Sequence, residues 1–448
     1  MAKRDIRIDL QRPVDLLHEH MTQALSASVW ERTRDGERDR IWGLHRLAEF
    51  WVAVVLRAPA SLTQALEELC GKSTTGGPGP SSQGFFARCG SLRREFFKGL
   101  FETFSARVME GRAPCFAREH AAVLGRFPGL WVVDGSRLDA IAHRLKVLWK
   151  DRSVVLPGAL VALYDLGHGV VRALQFDADA AASEHNRAVA ILDKAPRGTL
   201  LMGDRLYGTA SFFSQLSARG LWGLARYNKT LGVRGVEVLS KRNHEGGVIE
   251  DLLVDAGSGQ SGVPPQRLRL ITWRKGNTKR ELLTNVLDPE KLSAEEALAL
   301  YPERWKIERL FFDLKEVLNL HCFYAANPNA VAMQVYAAAI VHTALRVAQA
   351  EIAAQVRVAP EELSVPKLFP RVAAASEALA VAEIAVDEVE RINPGVRLKR
   401  PNFRTLRFSW TTLDAIRVVH RKGPRKARRF CRARAKWKSL RKVRGAPR

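Results

Sequence analysis

Twice in the middle of the chain a short apolar run stops at an aspartate: GLWVVD ends at Asp134 and LLMGD ends at Asp204. Runs of that length and composition read as buried strands. Side chains at the open ends of such strands stand where a ligand can sit. A carboxylate bordering buried apolar residues is costly unless something compensates its charge. A divalent cation is one compensator; an ordinary turn or cap role is the alternative. Between and after these strands, LVALYDLGHGVVRALQF reads as two strands joined by a DLGHG turn, SEHNRAVAILDKA as a helix capped by Ser183, TASFFSQLSARG as a helix and LWGLARY as a strand. The order strand, hairpin, helix, strand, helix, strand predicts a mixed sheet with helices packed on it, an α/β class.

With 448 residues the chain is long enough for two to four folded units. Residues 1–125 show helical periodicity in segments such as RIWGLHRLAEFWVAVVLR and SLRREFFKGLFETFSARVME. The turn formers GKSTTGGPGPSSQG interrupt them, so a helix-turn-helix or a plain helical bundle both fit. Residues 228–285 read as β-rich, with GVEVLSK, RLRLITW and ELLTNVL as strands. Ser293 and Glu296 have capping-box spacing, and Pro302 suits a first helical turn. Residues 328–390 are Ala-rich and helical, with the composition of core helices and no uninterrupted apolar stretch of membrane-spanning length. The boundaries drawn from this pattern are 1–125, 126–227, 228–285, 286–325, 326–416 and 417–448.

Net charge is +24, from 71 basic and 47 acidic residues. Such an excess favours a polyanionic partner, because neutralised phosphates release counterions. Fifteen of those positive charges lie from Arg417 to Arg448 without one acid, leaving +24 − 15 = +9 for the rest. This tail, with Phe430 and Trp437 interleaved, reads as a phosphate-binding arm. The five cysteines, Cys70, Cys89, Cys115, Cys322 and Cys431, are scattered and form no CxxC pair, which argues against a disulfide framework and a zinc site. Reduced thiols and an N-terminus without an apolar signal core lead to the expectation of a cytoplasmic, nucleoid-associated protein with no membrane partner.

A third carboxylate stands out in YPERWKIERLFFDLK. At about 100° per residue, Tyr301, Arg304, Glu308 and Lys315 fall within roughly a 60° arc of one helix. Glu303 and Asp313 fall elsewhere, so the stripe selects Glu308. A solvated helix face with an Arg304–Glu308 pair would give the same pattern.

The spacing Tyr301, Arg304, Glu308, Lys315, preceded by TNVL and followed by LNL, resembles the signature of the insertion-sequence-four family of DDE transposases. That family carries DGS after its first acidic strand, matched by Asp134-Gly135-Ser136, and a segment like GDRLYG (203–208) at its second acid. The resemblance spans roughly residues 128–320. It implies an RNase H-like catalytic domain with a β-rich insertion before the glutamate helix, flanked by helical regions, the first binding DNA ends. It implies a catalytic and metal-binding triad of Asp134, Asp204 and Glu308, cutting at transposon ends and joining of the 3′ ends to target DNA. It also implies a homodimer on double-stranded DNA, holding terminal inverted repeats and target together, for which the helices after residue 328 are apolar enough.

Three carboxylates suit Mg²⁺ or Mn²⁺, and two ions would both activate a water and stabilise the leaving oxygen. Arg304 and Lys315 are expected at phosphates beside the scissile bond, with Tyr301 on a phosphate or bracing the helix. Trp305 and Trp273 are candidates to stack on an unpaired base, and Arg226 and Lys229 to contact DNA. His168, His185 and His342 lack suitable partners in sequence and read as structural. Asp139, Asp165 and Asp177 compete with the named acids but lack the surrounding motif. Two other readings remain: a metal-dependent nuclease without strand transfer, and a DNA-binding regulator derived from a transposase.

The tail makes its own prediction. Its deletion should weaken binding to all DNA sequences alike and flatten the slope of log K against log salt by about 0.9 for each phosphate it no longer neutralises. An unchanged slope in a destabilised protein would make the tail a packed structural element.

Overall fold

The computed structural model describes residues 7–10, 12–35, 43–70, 82–138, 158–257, 263–325, 327–374 and 410–418. The first part is helical: α1 (Arg12–His20), α2 (Gln23–Thr33), α3 (Leu44–Arg57), α4 (Leu62–Cys70), α5 (Ser82–Ser91), α6 (Arg94–Met109) and the single turn α7 (Ala121–Leu124). A short strand before them, β1 (Arg7–Asp9), pairs antiparallel with β11 (Trp410–Thr412) near the other end of the described chain.

The centre is one nine-stranded sheet. Its strands are β2 (Leu130–Arg137), β3 (Ala159–Asp165), β4 (Val170–Asp177), β5 (Leu200–Gly203), β6 (Trp222–Arg226), β7 (Val233–His244), β8 (Gly247–Ala256), β9 (Gln266–Lys275) and β10 (Thr278–Thr284). They lie in the order β4-β3-β2-β5-β6-β10-β9-β8-β7. β2, β3 and β4 form an antiparallel meander. β5 pairs parallel to β2, and β6 parallel to β5. Parallel neighbours need a crossover. Helix α8 (Glu184–Val189) lies on the path from the meander to β5, and α9 (Ala210–Ala218) on the path from β5 to β6.

Alternation along the strands gives the sheet two apolar faces. Leu130, Val132, Leu200, Met202 and Leu224 face the helices of the first part and α12 (Pro328–Val356). Trp131, Val133, Leu201 and Ala225 face α8 and α9 through Ala188, Phe212, Phe213 and Leu216. β3 and β5 are buried along their whole length.

Helix α12 is apolar all round, which suits an element packed on every side. α1, α3, α5, α6 and β4 all contact it. It is long and apolar enough to cross a membrane, but 94% of its most apolar window is buried inside this protein. Tyr336 of α12 stacks on Phe101, and its hydroxyl meets the Phe176 N–H at 3.3 Å.

The stretch read as β-rich forms four strands, including β8, which its local pattern does not separate. They are not set apart from the central sheet: β10 pairs with β6 and continues the sheet outward through β9, β8 and β7. Trp273 lies in β9 and is only 9% exposed. Its indole N–H donates to the His244 carbonyl at 3.1 Å, and Arg280 covers its ring. Its place as a DNA-stacking residue is therefore corrected to a sheet-packing one. The start drawn for the basic tail also shifts. Arg417 pairs with Glu362, and the Val418 N–H donates to the Glu362 carbonyl, so the chain is anchored there. Residues 419–448, like the helical expectation for 375–390, lie outside the described residues.

Arg269 ties the outer strands to the rest. Its side chain is fully buried and pairs with Asp251, Nε to Oδ1 at 3.1 Å, while Nη1 donates to the carbonyls of Val286 and Leu292 at 3.0 and 2.9 Å. Breaking such a pair strands a buried charge. Asp251→Leu should cost about 3–5 kcal/mol, seen as a lower urea midpoint. The double replacement D251L/R269M should recover part of that loss; a single variant as stable as the parent would show that the pair is solvated.

Candidate active site

The parallel register of β2 and β5 pairs Val132 with Met202. Asp134 and Asp204 each follow two residues later, so both acids emerge at the same edge of adjacent strands. Parallel neighbours lie about 4.8 Å apart. Asp134 Oδ1 accepts its neighbour Gly135 N–H at 3.0 Å. Asp204 caps the 3₁₀ turn Arg205–Tyr207, Oδ1 accepting the Leu206 N–H at 2.7 Å. In this turn Gly208 has no room for a side chain, because a Cβ would lie 2.3 Å from the Arg226 carbonyl.

The segment carrying Glu308 crosses in front of these strand ends, and it is not one regular helix. A capping box at Ser293 and Glu296 starts α10 (Ala294–Leu300). A 3₁₀ turn (Tyr301–Trp305), α11 (Lys306–Phe312) and a π turn (Asp313–Val317) follow. In a 3₁₀ turn residues i and i+3 eclipse. Tyr301 and Arg304 therefore share a direction more closely than a uniform α-helix would give. The π turn adds a residue before Lys315. Three residues of the stripe nonetheless meet the two acid-bearing strands, and Glu308 is joined to them through Arg304. Tyr301 donates to the Gly203 carbonyl at 3.2 Å. Arg304 lies 3.4 Å from Asp134 and 3.4 Å from Glu308. Lys315 donates to Ser136 Oγ at 2.8 Å and to the Arg137 carbonyl.

Arg304 is 8% exposed, so its guanidinium is spent between two acids rather than presented to solvent. In this arrangement Arg304 stands between the carboxylates of Asp134 and Glu308. Lys315 is half-buried on the last residues of β2, and Glu308 is exposed. Trp305 is 60% exposed and lines a cavity of about 350 Å³ with Arg226, Arg280 and Tyr301. Lys229 is exposed in the turn after β6.

Two residues at the site escape a reading of the sequence. Glu184, the first residue of α8, and Tyr207, three residues after Asp204, join by a hydrogen bond, Tyr207 Oη to Glu184 Oε1 at 2.9 Å. The fixed offset of Tyr207 inside GDRLYG is the available signal; nothing local marks Glu184.

The electrostatics are unbalanced. Burial pushes the Asp134 carboxyl up to about 7, and the nearby Asp204 and Glu184 add to the effect, while Arg304 and the Gly135 N–H oppose it. Tyr207 is raised well above its usual value, first by burial and then by Glu184. The donors gathered here are carboxylate oxygens, the set that hard divalent ions prefer. The site therefore fits Mg²⁺ or Mn²⁺ by donor type and by its missing positive charge. The three acids of the stripe and strands do not all converge within 4.8 Å. Among the described residues only Glu119, His120 and Glu303 do so, and there Lys306 already lies 2.6 Å from Glu303 and 3.6 Å from Glu119.

Of the competing acids, Asp165 is buried against His168 and Arg172, which hold its carboxyl low against the cost of burial. Asp177 accepts the Asp179 N–H in a turn, and Asp139 lies outside the described residues. His342 is buried 3.8 Å from Asp313, and burial lowers its pKa. His185 packs edge-on against Phe212.

Residues 157–344 match the family model described as the transposase DDE domain. The match includes Asp204 and Glu308 and begins after Asp134. Putative transposase y4zB of Sinorhizobium fredii is 30% identical over 176 residues, 38% of this chain and 48% of that protein. The chain thus matches about half the length of this relative. A cryo-EM structure of the piggyBac transposase synaptic complex with hairpin DNA aligns over 87% of this chain and 83% of that one, at 10% identity and a TM-score of 0.38, too low to carry a shared fold. The similarity of the central region is therefore to DDE transposases.

The raised Asp134 carboxyl sets a pH dependence. The same group titrates near 4 in an unfolded chain. Its protonated form therefore stabilises the fold fully below about pH 4, and that stability is lost as pH rises through about 7. In metal-free buffer at pH 8, Asp134→Asn should stabilise the protein by about 2 kcal/mol. The gain should fall to about a third by pH 5 and vanish below about pH 4, as read from thermal melts. A destabilised variant at pH 8 would show that Arg304 outweighs burial.

Proposed function

We propose that this chain is a DNA transposase of the insertion-sequence-four type. It cuts the ends of its element by metal-dependent phosphodiester hydrolysis and joins the freed 3′ ends to target DNA. The observation that carries the reading is the meeting of three separated segments. Asp134 and Asp204 leave adjacent parallel strands, and Tyr301, Arg304 and Lys315 hold the Glu308 segment across them. The strand order β4-β3-β2-β5-β6, antiparallel then parallel, supports an RNase H-like core, with β7–β10 as the insertion before the glutamate. The match to the transposase DDE domain supports the same reading.

Asp134, Asp204 and Glu308 would hold Mg²⁺ or Mn²⁺, as two ions. When bound, the metal supplies an activated water and charge stabilisation for the leaving oxygen. Cutting places a water oxygen on phosphorus and breaks the P–O3′ bond, leaving a 3′-hydroxyl and a 5′-phosphate. In joining, that 3′-hydroxyl attacks a target phosphodiester and displaces its 3′ oxygen. Arg304 keeps Asp134 and Glu308 from repelling each other before metal arrives. Lys315 holds the end of β2 after Asp134, and Tyr301 fixes the helix start to the end of β5. Arg226, Lys229 and Trp305 lie exposed beside this edge, where the DNA backbone and an unstacked base would pass. Two copies on paired element ends, and a nucleoid location in the cytoplasm, belong to the same reading.

The test uses the purified chain, labelled DNA carrying the inverted repeats that bracket its gene, and a target plasmid. With Mn²⁺ or Mg²⁺ the ends should be cut and joined. Asp204→Asn and Glu308→Gln should each lower cutting by at least about 10³-fold, with end binding in gel shifts changed little, because binding rests on phosphate contacts. Cutting without joining would make the chain a nuclease, and binding without cutting a regulator.

A further inference from the structure

Glu184 belongs to none of the motifs that define the site, yet its carboxylate lies inside it. Ser183 caps α8, its hydroxyl accepting the Asn186 N–H at 3.3 Å, which sets Glu184 as the first helical residue. From there the side chain reaches Gly135, the residue after Asp134 in β2. A Cβ built on Gly135 would fall 2.3 Å from Glu184 Cδ and 2.5 Å from its Oε2. Glycine at 135 is thus what admits this carboxylate beside Asp134. On its other side Oε1 accepts the Tyr207 hydroxyl at 2.9 Å. Tyr207 is fully buried and belongs to the same turn as Asp204. One carboxylate therefore lies against both the strand that bears Asp134 and the turn that bears Asp204.

No cation pairs with it among the described residues. Among the described residues no Lys, Arg or His nitrogen lies within 4.0 Å of Glu184 or of Asp204, and Arg304 serves only Asp134 and Glu308. Four acids share one buried guanidinium. Glu184 is half-buried, and its free oxygen is not among the buried atoms without a partner, so a ligand can reach it. Tyr207 occupies Oε1, while Oε2 has no hydrogen-bond donor among the described residues and lies on the Asp134 side.

We propose that Glu184 is a fourth carboxylate of the metal site, giving Oε2 to the cation held by Asp134 and Asp204, and that Tyr207 is the positioning residue that orients it. This rests on the metal-dependent reading of the site. Tyr207 holds the first oxygen in place, so the second is delivered without loss of side-chain freedom at binding. Gly135 leaves the approach open.

Binding of Mn²⁺ to the full-length protein, followed by the electron paramagnetic resonance signal of free Mn²⁺, tests the proposal without relying on catalysis. Glu184→Gln keeps the shape and the acceptor for Tyr207 but removes the charge. It should weaken Mn²⁺ binding by at least about 10-fold, and Tyr207→Phe by a smaller factor. In metal-free melts Glu184→Gln should be no less stable than the parent, and its stabilisation by added Mn²⁺ should be smaller. A glutamate that only braces the fold would lower stability with and without metal and leave the affinity unchanged; that result overturns the proposal. Should Glu184→Gln not fold, Glu184→Asp, which keeps the charge but withdraws it by one methylene, carries the same expectation. Asp204→Asn is the control. If it weakens Mn²⁺ binding and Glu184→Gln does not, this inference fails alone. If Asp204→Asn has no effect either, the metal-dependent reading of the site fails with it.

Discussion

The pairing of β2 with β5 is the constraint on which the rest depends. These strands lie 70 residues apart in sequence, matched Leu130 to Leu200. Their parallel alignment requires the β3–β4 hairpin and α8 to return the chain to the same starting edge. Once that register is set, both strands run out of the core after the same number of residues, and their acids cannot avoid each other. Both faces beneath them are packed, by α12 and the N-terminal helices on one side and by α8 and α9 on the other. Slipping the register by one residue would turn each buried set to the wrong face.

That crowding of acids is stored in the fold rather than relieved by it. Arg304 is buried between Asp134 and Glu308, and its indole neighbour Trp305 lies under the guanidinium at 4.9 Å. Burial raises the Asp134 carboxyl, the neighbouring Asp204 and Glu184 add to the effect, and Arg304 only partly opposes it. Tyr207 and the turn of Gly203–Gly208 hold the acids where they are, because the Gly203 carbonyl is itself bound by Tyr301. On the proposed reading, a small hard cation would relieve this crowding.

The outer strands do more than extend the sheet. β10 continues it from β6, and Arg269 fastens β8 and β9 to the carbonyls of Val286 and Leu292, just ahead of α10. Arg242 of β7 also pairs with Glu295 in the first turn of α10. The segment that delivers Glu308 therefore starts from a point fixed by these strands. The π turn after Phe312 carries Lys315, which reaches the end of β2 after Asp134, with Asp313 turned inward beside Arg309 and His342.

Local pattern carried much of this by itself. Apolar runs stopping at Asp134 and Asp204, the hairpin around Asp165 to Gly169, the caps at Ser183 and Ser293, and the choice of Glu308 over Glu303 and Asp313 all follow from periodicity and side-chain chemistry within a few residues. What only the tertiary structure decided involves distant partners. The register of β2 on β5, the continuation of the sheet into β7–β10 and the closure of β1 on β11 depend on which strands meet after long loops close. Trp273 is buried because β10 and the β7–β8 turn cover it, which no pattern within β9 reveals. Arg304 turns inward because a 3₁₀ turn replaces the regular helix that a uniform period assumes. Glu184 reaches Asp134 only because α8 packs over the meander and Gly135 leaves room, a fit in space between residues that sequence separation keeps apart.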